Sequence, residues 1–320
     1  MNNAELKTPD VSIVVPAKDE EKSLTELFDK IRETMEGEGL SFEVIFVDDG
    51  STDSTFSVIT GLAEKDGRVK GIRFIKNFGK SAALAAGFER ARAKIIVTMD
   101  ADLQDDPTEI PNLIETMEKE GAHLVSGWKK DRKDPADRKA ASRIFNSVAG
   151  ALSGVKVHDM NCGLKAYRRE VTEGIRLYGD LHRFIPALAA ARGFKVAEVP
   201  VRHHPRVHGR SRYGLERVPR GMFDLLTVIF LTQYARRPLH LFGGVGLGLG
   251  FLGFVALLYL TVLWFMGLGP IGTRPLFMGG IMLLLLGAQL LSLGLVGELI
   301  TNLTYRPGEQ YIVSEETGTE

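Results

Sequence analysis

Short apolar runs alternate with amphipathic segments over the first part of the chain. The strand-like runs are apolar or β-branched and lie at residues 11–15, 42–47, 69–74, 94–99, 124–126 and 195–201. Segments with apolar side chains at helical spacing separate several of them, most clearly at residues 20–35 and 80–93. This alternation predicts an α/β domain built on a mainly parallel sheet with helices on both faces.

Two much longer apolar segments follow, at residues 239–268 and 276–303. Each is long enough to span a bilayer as a helix, so the pair predicts a membrane hairpin. The connector at residues 269–275 carries one positive charge, whereas Arg237 and Arg306 lie at the other ends of the two segments. Because positive charge concentrates on the cytoplasmic side, both chain ends are predicted to be cytoplasmic.

Residues 215–234 precede the first span and place apolar side chains against charged ones, which is typical of a helix lying in a membrane interface. The polar N-terminus lacks the apolar core of a signal peptide, in agreement with a domain that stays inside the cell. The predicted parts are a cytoplasmic domain at residues 1–213, a juxtamembrane helix at 214–237, a transmembrane hairpin at 238–305 and a cytoplasmic tail at 306–320.

Composition narrows the class of partner. The 320 residues include 40 Lys and Arg against 40 Asp and Glu, so the formal net charge is zero and nothing indicates nucleic-acid binding. Cys162 is the single cysteine, which excludes a disulfide within the chain.

Acidic turns follow three of the predicted strands, at residues 16–20, 48–53 and 100–104. Ligands of parallel sheets bind at the carboxyl ends of the strands, where these turns should meet. A single acidic turn could serve only to cap a helix, as Asp106 before Pro107 is expected to do. Three such turns at one edge indicate a binding site.

The third turn has the ligand types of a hard divalent cation. Carboxylates of Asp100 and Asp102 and the amide of Gln104 suit Mg²⁺ or Mn²⁺, which commonly leave coordination positions open for substrate phosphates. An isolated Asp-x-Asp is also common as a plain polar turn. Glycines at residues 243–250 superficially resemble a phosphate-binding loop, but they lie in the first apolar span, where small residues serve helix packing.

Two basic segments stand outside the strand pattern. Residues 129–146 are dense in charge and then turn amphipathic, which fits a solvated loop and helix. Residues 203–213 contain three histidines and three arginines. The histidine spacing matches no common structural zinc site, whereas guanidinium groups suit phosphate.

Five motifs occur in the order found in glycosyltransferase family 2: VVPAKDE at residues 14–20, VDDGSTD at 47–53, NFGK at 77–80, DADLQDDP at 100–107 and DMNCGLK at 159–165. With the hairpin behind them, they resemble the polyisoprenyl-phosphate glycosyltransferases, the dolichol-phosphate mannose synthase-like branch of that family. The resemblance covers essentially the whole chain. It implies a GT-A fold, a nucleotide-sugar donor, a lipid phosphate acceptor and inversion at the anomeric carbon.

The resemblance also implies residue roles. Catalytic positions are Asp100, Asp102 and Asp159, and the metal ligands are Asp102 and Gln104. Donor contacts are expected at Pro16, Lys18, Glu20, Asp49, Asp100, Ala101, His182 and Arg206. Acceptor-phosphate contacts are expected at Lys130, Arg138, Arg143, Arg210, Ser211 and Arg212.

Two of these roles have alternatives. Asp159 could be a turn residue before Gly163 rather than a group near the sugar and acceptor. Mannose synthases tend to have Ser-Arg after the strand at residues 124–126, but Gly127 follows Ser126 here. That departure would pass the phosphate contact to Lys129 or Lys130.

The sequence therefore predicts transfer of a single hexose, with Mg²⁺ or Mn²⁺, from a GDP-mannose or UDP-glucose type of donor to dolichyl or undecaprenyl phosphate at the cytoplasmic membrane face. The partners are the donor, the lipid and the bilayer, and a homo-oligomer is left open. One alternative is a processive polysaccharide synthase, but the chain has two predicted spans and no Gln-x-x-Arg-Trp motif. Another alternative is an inactive membrane scaffold. The intact carboxylates of Asp49, Asp100 and Asp102 argue against it.

Overall fold

The computed structural model of the protein describes residues 8–130, 157–204, 226–235 and 237–304. The chain forms two compact units, Met1–Val228 and Ile229–Glu320. The division falls inside the predicted juxtamembrane segment.

The first unit alternates strands and helices. Its strands are β1 Val11–Ala17, β2 Phe42–Asp48, β3 Val69–Arg73, β4 Ile95–Thr98, β5 Leu124–Trp128, β6 Lys165–Arg168 and β7 Val196–Pro200. Its described α-helices are α1 Leu24–Gly37, α2 Thr55–Lys65, α3 Lys80–Arg90, α4 Ile110–Glu120, α5 Arg169–Gly174 and α6 Ile185–Ala191. Short 3₁₀ helices lie at Pro107–Glu109 and Leu181–Phe184.

The described strands make one seven-stranded sheet in the order β3-β2-β1-β4-β6-β5-β7. Strand β6 runs antiparallel to β4 and β5, and the other neighbouring strands are parallel. The predicted mainly parallel sheet is confirmed. The β6 strand was not predicted, because two of its four residues, Lys165 and Arg168, are charged and break the apolar pattern.

The central strands are buried on both faces. Ile13 and Val15 of β1 belong to a core with apolar side chains of α1, α2 and α4. Val14 belongs to a second core with side chains of α3, α5 and α6. A strand with helices on both faces has no polar side, which explains the continuous apolar runs in the sequence. Burial of each such side chain contributes about 1.5–3 kcal/mol.

The second unit contains two long apolar helices, α7 Pro238–Phe265 and α8 Pro275–Leu303. Both are long and apolar enough to cross a membrane. A π-helical turn at Phe230–Tyr234 precedes them. At the start of α7, the backbone N–H of Leu239 donates to Glu298 Oε2 of α8 across 3.4 Å. The carboxylate therefore satisfies one of the amides that a helix N-terminus leaves without an internal partner.

Glycines bring the two long helices into close contact. A Cβ atom at Gly246 would lie 2.7 Å from the carbonyl oxygen of Gly287, and one at Gly253 would lie 2.7 Å from that of Gly280. Side chains at these positions would force the backbones apart. Small residues that let backbones approach are a main source of helix association in membranes.

We expect Gly246→Leu to destabilise the α7–α8 pair by about 1–3 kcal/mol, the usual cost of overpacking. Gly248→Leu is the matched control on the same helix, because a Cβ atom at Gly248 meets nothing within 4 Å. Unfolding of the detergent-solubilised protein by increasing SDS would compare the variants. Equal midpoints for Gly246→Leu and Gly248→Leu would contradict the packing.

Candidate active site

An open cleft of about 240 Å³ lies at the carboxyl ends of β1, β2 and β4. Its lining residues are Pro16, Ala17, Lys18, Glu20, Asp49, Lys80, Asp100, Ala101 and Asp102. The three acidic turns thus meet at one edge of the sheet, as the alternation of strands predicted. Lys80 was not among the residues to which the sequence assigned a role.

Asp49 supports the backbone beside the cleft. Its Oδ1 accepts the backbone N–H of Phe78 at 2.7 Å, and its Oδ2 accepts that of Gly79 at 3.0 Å. Gly50 follows with a φ of +66°, and a Cβ atom there would lie 2.4 Å from the backbone of Lys76. Only glycine fits this turn. The carboxylate therefore positions the loop that leads into α3.

The first acidic turn is tied to the second. Lys18 Nζ donates to the carbonyl oxygen of Gly50 at 3.0 Å, and the backbone N–H of Glu20 donates to Thr55 Oγ1 at 2.8 Å. Asp19, with a φ of +55°, accepts the backbone N–H of Thr52 at 2.9 Å. These bonds hold the β1 end and the β2 end as one wall of the cleft.

The third turn does not continue the pleat of its strand. Strand β4 ends at Thr98, and the chain turns through residues 101–103 with Leu103 at a φ of +60°. The backbone N–H of Gln104 donates to Asp102 Oδ1 at 3.2 Å. The turn, not the strand, sets the positions of these groups.

A buried ion pair lies under this turn. Lys129 Nζ is 2.8 Å from Asp105 Oδ1, and their side chains are 7% and 1% exposed. Asp105 Oδ2 accepts the backbone N–H of Asp100 at 3.2 Å. Burial favours a neutral Lys129, but the nearby Asp105 carboxylate outweighs it and raises the pKa of Lys129. Lys129 therefore stays charged, and its contact with Asp105 fixes the backbone at Asp100.

Its buried pairing with Asp105 makes Lys129 the less suited of the two lysines to which the sequence assigned the acceptor-phosphate contact. Lys130, the other residue considered for the role, lies with Nζ 5.7 Å from the centre of the Trp128 ring. The Asp106 cap is confirmed, because Asp106 Oδ1 accepts the backbone N–H of Thr108 at 3.0 Å before the 3₁₀ turn.

Asp100 also pairs with Lys80 at the start of α3. Burial alone would raise the pKa of Asp100, but the positive charges of Lys80 and Lys129 outweigh it and hold that pKa well below its usual range. Gly163 packs against the same carboxylate, since a Cβ atom there would lie 2.7 Å from Asp100 Cγ. Asp100 is thus ionised and enclosed on two sides.

The residues of the turn fit a divalent cation in part. In the described part of the chain, no cluster of three or more His, Cys, Asp or Glu side chains could hold a metal ion. Mg²⁺ sites often use one or two carboxylates and take their remaining oxygens from substrate phosphates and water. Gln104 Nε2 donates to the carbonyl oxygen of His204 at 3.4 Å. Asp102, which lines the cleft, and Gln104, two residues further on, carry oxygen atoms of the type that such an ion takes.

Asp159 lies in a second loop, which Glu198 of β7 holds in place. Glu198 Oε1 accepts the backbone N–H of Asp159 at 2.9 Å, and Oε2 contacts His158 Nδ1 at 2.8 Å. Asp159 Oδ1 in turn accepts the backbone N–H of Asn161 at 3.2 Å, as a turn residue does. Sequence reasoning missed Glu198, because one acidic residue in a strand ordinarily indicates a solvated face.

His182 lies beside the cleft in the 3₁₀ turn before α6. Its backbone N–H donates to Ser81 Oγ at 3.1 Å, and its Nδ1 is 3.0 Å from the same oxygen. Burial, reinforced by the charges of Lys80 and Arg183, lowers the pKa of His182 to about 3. The imidazole is therefore neutral at physiological pH and acts as a hydrogen-bonding group rather than a cation.

Other buried groups in the adjoining pocket are unsuited to covalent chemistry. Burial raises the pKa of the Cys162 thiol to about 12, so the thiolate nucleophile is not formed at neutral pH. Lys165 is 3% exposed, and its Nζ donates to the carbonyl oxygen of Cys162. Six predicted contact residues lie outside the described residues: Arg138, Arg143, Arg206, Arg210, Ser211 and Arg212.

This sheet order, with one antiparallel strand and an acidic turn after β4 beside an open cleft, is that of a GT-A fold. The model of the family described as "Glycosyl transferase family 2" matches residues 12–176. The chain belongs to this family. The family, the fold and the enzymatic class expected from the motifs are confirmed.

Relatives extend the similarity over the apolar helices. The chain is 40% identical over 319 residues to a dodecaprenyl-phosphate galacturonate synthase of Rhizobium johnstonii, covering 98% of this chain and 94% of that protein. It is 37% identical over 290 residues to an undecaprenyl-phosphate 4-deoxy-4-formamido-L-arabinose transferase of Pseudomonas paraeruginosa, covering 90% and 84%. Both relatives are named for a sugar and a polyprenyl phosphate. Together with α7 and α8, these similarities indicate a membrane protein.

A solved structure shares the fold. Glucosyl-3-phosphoglycerate synthase of Mycobacterium tuberculosis, in complex with Mn²⁺, UDP and phosphoglyceric acid, aligns with a TM-score of 0.54 at 20% identity. The alignment covers 70% of this chain and 78% of that one. At this level of identity the likeness supports the fold.

We expect Gly163→Ala to lower glycosyl transfer by about tenfold or more, because a displacement near 1 Å in an active site can cost up to about a hundredfold in rate. The added methyl group would push on the Asp100 carboxylate. Gly61→Ala in α2 is the control, since nothing lies within 4 Å of its Cβ position. The initial rate of glycosyl transfer by each full-length variant would measure the effect, and equal rates in both variants would refute it.

Proposed function

We propose that this enzyme transfers one sugar from a nucleotide-sugar donor to a polyisoprenyl phosphate, with inversion and with a divalent cation. The observation that carries the proposal is the cleft in which Asp49, Asp100 and Asp102 meet at the sheet edge. The names of the two relatives favour undecaprenyl or a similar bacterial polyprenyl phosphate over dolichyl phosphate as the acceptor.

The donor binds in the cleft between the walls formed by the β1, β2 and β4 ends. Pro16, Lys18 and Glu20, with Asp49, line the nucleoside side, and Asp100 and Ala101 line the side of the ribose and diphosphate. His182 contributes a neutral hydrogen-bonding group, and Arg206 is a further donor contact in this proposal.

Asp102 and Gln104 would hold Mg²⁺ or Mn²⁺, which would supply positive charge against the diphosphate. The cation also explains how a cleft rich in carboxylates admits an anionic donor. Among the described lining residues, the carboxylates of Glu20, Asp49, Asp100 and Asp102 outnumber the cationic side chains of Lys18 and Lys80.

The reaction exchanges one bond at the anomeric carbon. An oxygen of the acceptor phosphate forms a bond to this carbon, and the bond from the carbon to the donor's β-phosphate oxygen breaks. The electron pair of the broken bond stays on the nucleoside diphosphate that leaves. A phosphomonoester has a second pKa of about 6, so it is already an anion at neutral pH and needs no strong base. Asp159, held by Glu198, orients the acceptor rather than removing a proton.

The acceptor phosphate lies at the headgroup layer, where α7 and α8 anchor the enzyme. Lys130, Arg138, Arg143, Arg210, Ser211 and Arg212 are its proposed contacts. Guanidinium groups form two parallel hydrogen bonds with phosphate oxygens, which suits this task. The catalytic domain and both chain ends lie on the cytoplasmic side.

The test is a panel of UDP- and GDP-sugars, including UDP-glucose, UDP-galacturonate and GDP-mannose, incubated with undecaprenyl phosphate, dolichyl phosphate and the full-length enzyme in lipid nanodiscs. We expect a product with one sugar per lipid, and only with Mg²⁺ or Mn²⁺. Absence of any lipid-linked product from the whole panel would refute the acceptor class, and products with many sugars would favour a processive synthase.

In the same assay, Asp102→Asn should lower transfer at least a hundredfold, about 2.7 kcal/mol of transition-state stabilisation. The protein should remain folded, because Asp102 lines the cleft rather than the apolar core. Asp29→Asn, an exposed carboxylate on α1, is the control for charge alone. Near-normal transfer by Asp102→Asn would overturn the metal assignment.

The orientation can be tested with single cysteines, since the native Cys162 is 1% exposed. We expect Thr273→Cys, in the turn between α7 and α8, to react with an impermeant maleimide on spheroplasts. Ser314→Cys in the C-terminal tail should be protected until the membrane is permeabilised. The reverse labelling pattern would invert the topology.

A further inference from the structure

Lys80 occupies a position that the proposed chemistry does not yet use. It is the first residue of α3 and lines the cleft opposite the acidic turn. Its Nζ pairs with Asp100 Oδ1, and the two side chains remain 32% and 34% exposed. Both charged groups can therefore be reached from the cleft. The ammonium group also adds to the positive end of the helix.

The neighbouring lysines are engaged elsewhere. Lys18 Nζ donates to the backbone carbonyl oxygen of Gly50 at 3.0 Å, and Lys165 is 3% exposed with its Nζ on a backbone carbonyl oxygen. Lys129 is buried against Asp105. Among the described residues, Lys80 is therefore the cleft-lining cation whose partner is a carboxylate of the acidic turn.

An exposed ion pair of this kind can exchange partners. When the cleft holds neither metal nor donor, the ammonium group balances the charge of Asp100. A divalent cation near Asp102 would repel Lys80, and a diphosphate would attract it. The metal and the diphosphate carry opposite charges, so one repels the Lys80 side chain and the other attracts it.

We propose that Lys80 leaves Asp100 when the donor binds, pairs with the donor diphosphate and stabilises the negative charge on the leaving group. Lys80 is then a catalytic residue in direct contact with the substrate. This inference rests on the proposed function, because it requires a nucleotide diphosphate in the cleft.

Removing the Lys80 charge should therefore shift the affinity for metal and the affinity for nucleotide in opposite directions. Without the Lys80 charge, Asp100 becomes an unpaired anion, so the metal alone should bind more tightly. The diphosphate loses a cation, so the nucleotide should bind more weakly even when metal is present. A merely structural role for Lys80 would weaken both.

The experiment compares full-length wild type, Lys80→Met and Lys80→Arg in detergent micelles. Mn²⁺ affinity without nucleotide is measured by electron paramagnetic resonance, and the affinities of UDP and GDP at saturating Mn²⁺ by calorimetry. We expect Lys80→Met to bind Mn²⁺ about threefold more tightly and its nucleotide about tenfold more weakly. Lys80→Arg, which keeps the charge, should remain closer to wild type on both measures. Lys22→Met is the control at an exposed position outside the cleft lining.

A parallel change of both affinities in Lys80→Met, or no change in either, would overturn the inference. Thermal unfolding checks the fold, and Lys80→Gln replaces Lys80→Met should that variant not fold. Transfer by wild type tests the proposed function separately. If wild type transfers no sugar to lipid but the two affinities shift in opposite directions, the proposed acceptor is wrong and the proposed role of Lys80 is supported. If wild type transfers sugar and the affinities do not shift, only the proposed role of Lys80 is refuted.

Discussion

The acidic turn keeps its shape because Asp105 contacts two groups at once. Its Oδ1 pairs with the buried ammonium group of Lys129, and its Oδ2 accepts the backbone N–H of Asp100. A buried charge without a partner is costly, so Lys129 and Asp105 require each other. Their pairing fixes where Asp100 stands, and Asp100 in turn meets Lys80 across the cleft. The chain after β7 adds a further restraint, since the backbone N–H of His204 donates to the carbonyl oxygen of Gln104 at 2.9 Å.

The pattern of hydrophobic positions was sufficient to predict the strands that are buried on both faces. Strands β1, β2 and β4 are continuous apolar runs because helices cover them on each side. Strand β6 was not predicted, because Lys165 and Arg168 are charged. Their side chains donate to backbone carbonyl oxygens, of Cys162 and Ala122, and a pattern of hydrophobic positions does not record such contacts. The acidic turns were found for a topological reason, because the carboxyl ends of parallel strands share an edge.

Individual side chains of the site were harder to assign. Lys129 follows a strand beside Lys130, and two adjacent lysines look equally suited to phosphate. Only the fold shows that Lys129 points inward to Asp105. Glu198 was missed and Lys80 was assigned no role for the same reason, because their partners Asp159 and Asp100 are distant in sequence and become neighbours through the sheet order.

The balance of charge in the cleft determines which ions it attracts. Carboxylates outnumber lysines among the described lining residues, so the cleft by itself repels a diphosphate. In the proposed reaction, a divalent cation would reverse that field, and a lysine already paired with one carboxylate would limit how strongly the cation binds alone. Metal and nucleotide would then favour each other's binding, because each would remove the charge that opposes the other. The proposed enzyme would fill its cleft with the metal and donor together, which suits a reaction whose leaving group is the nucleoside diphosphate itself.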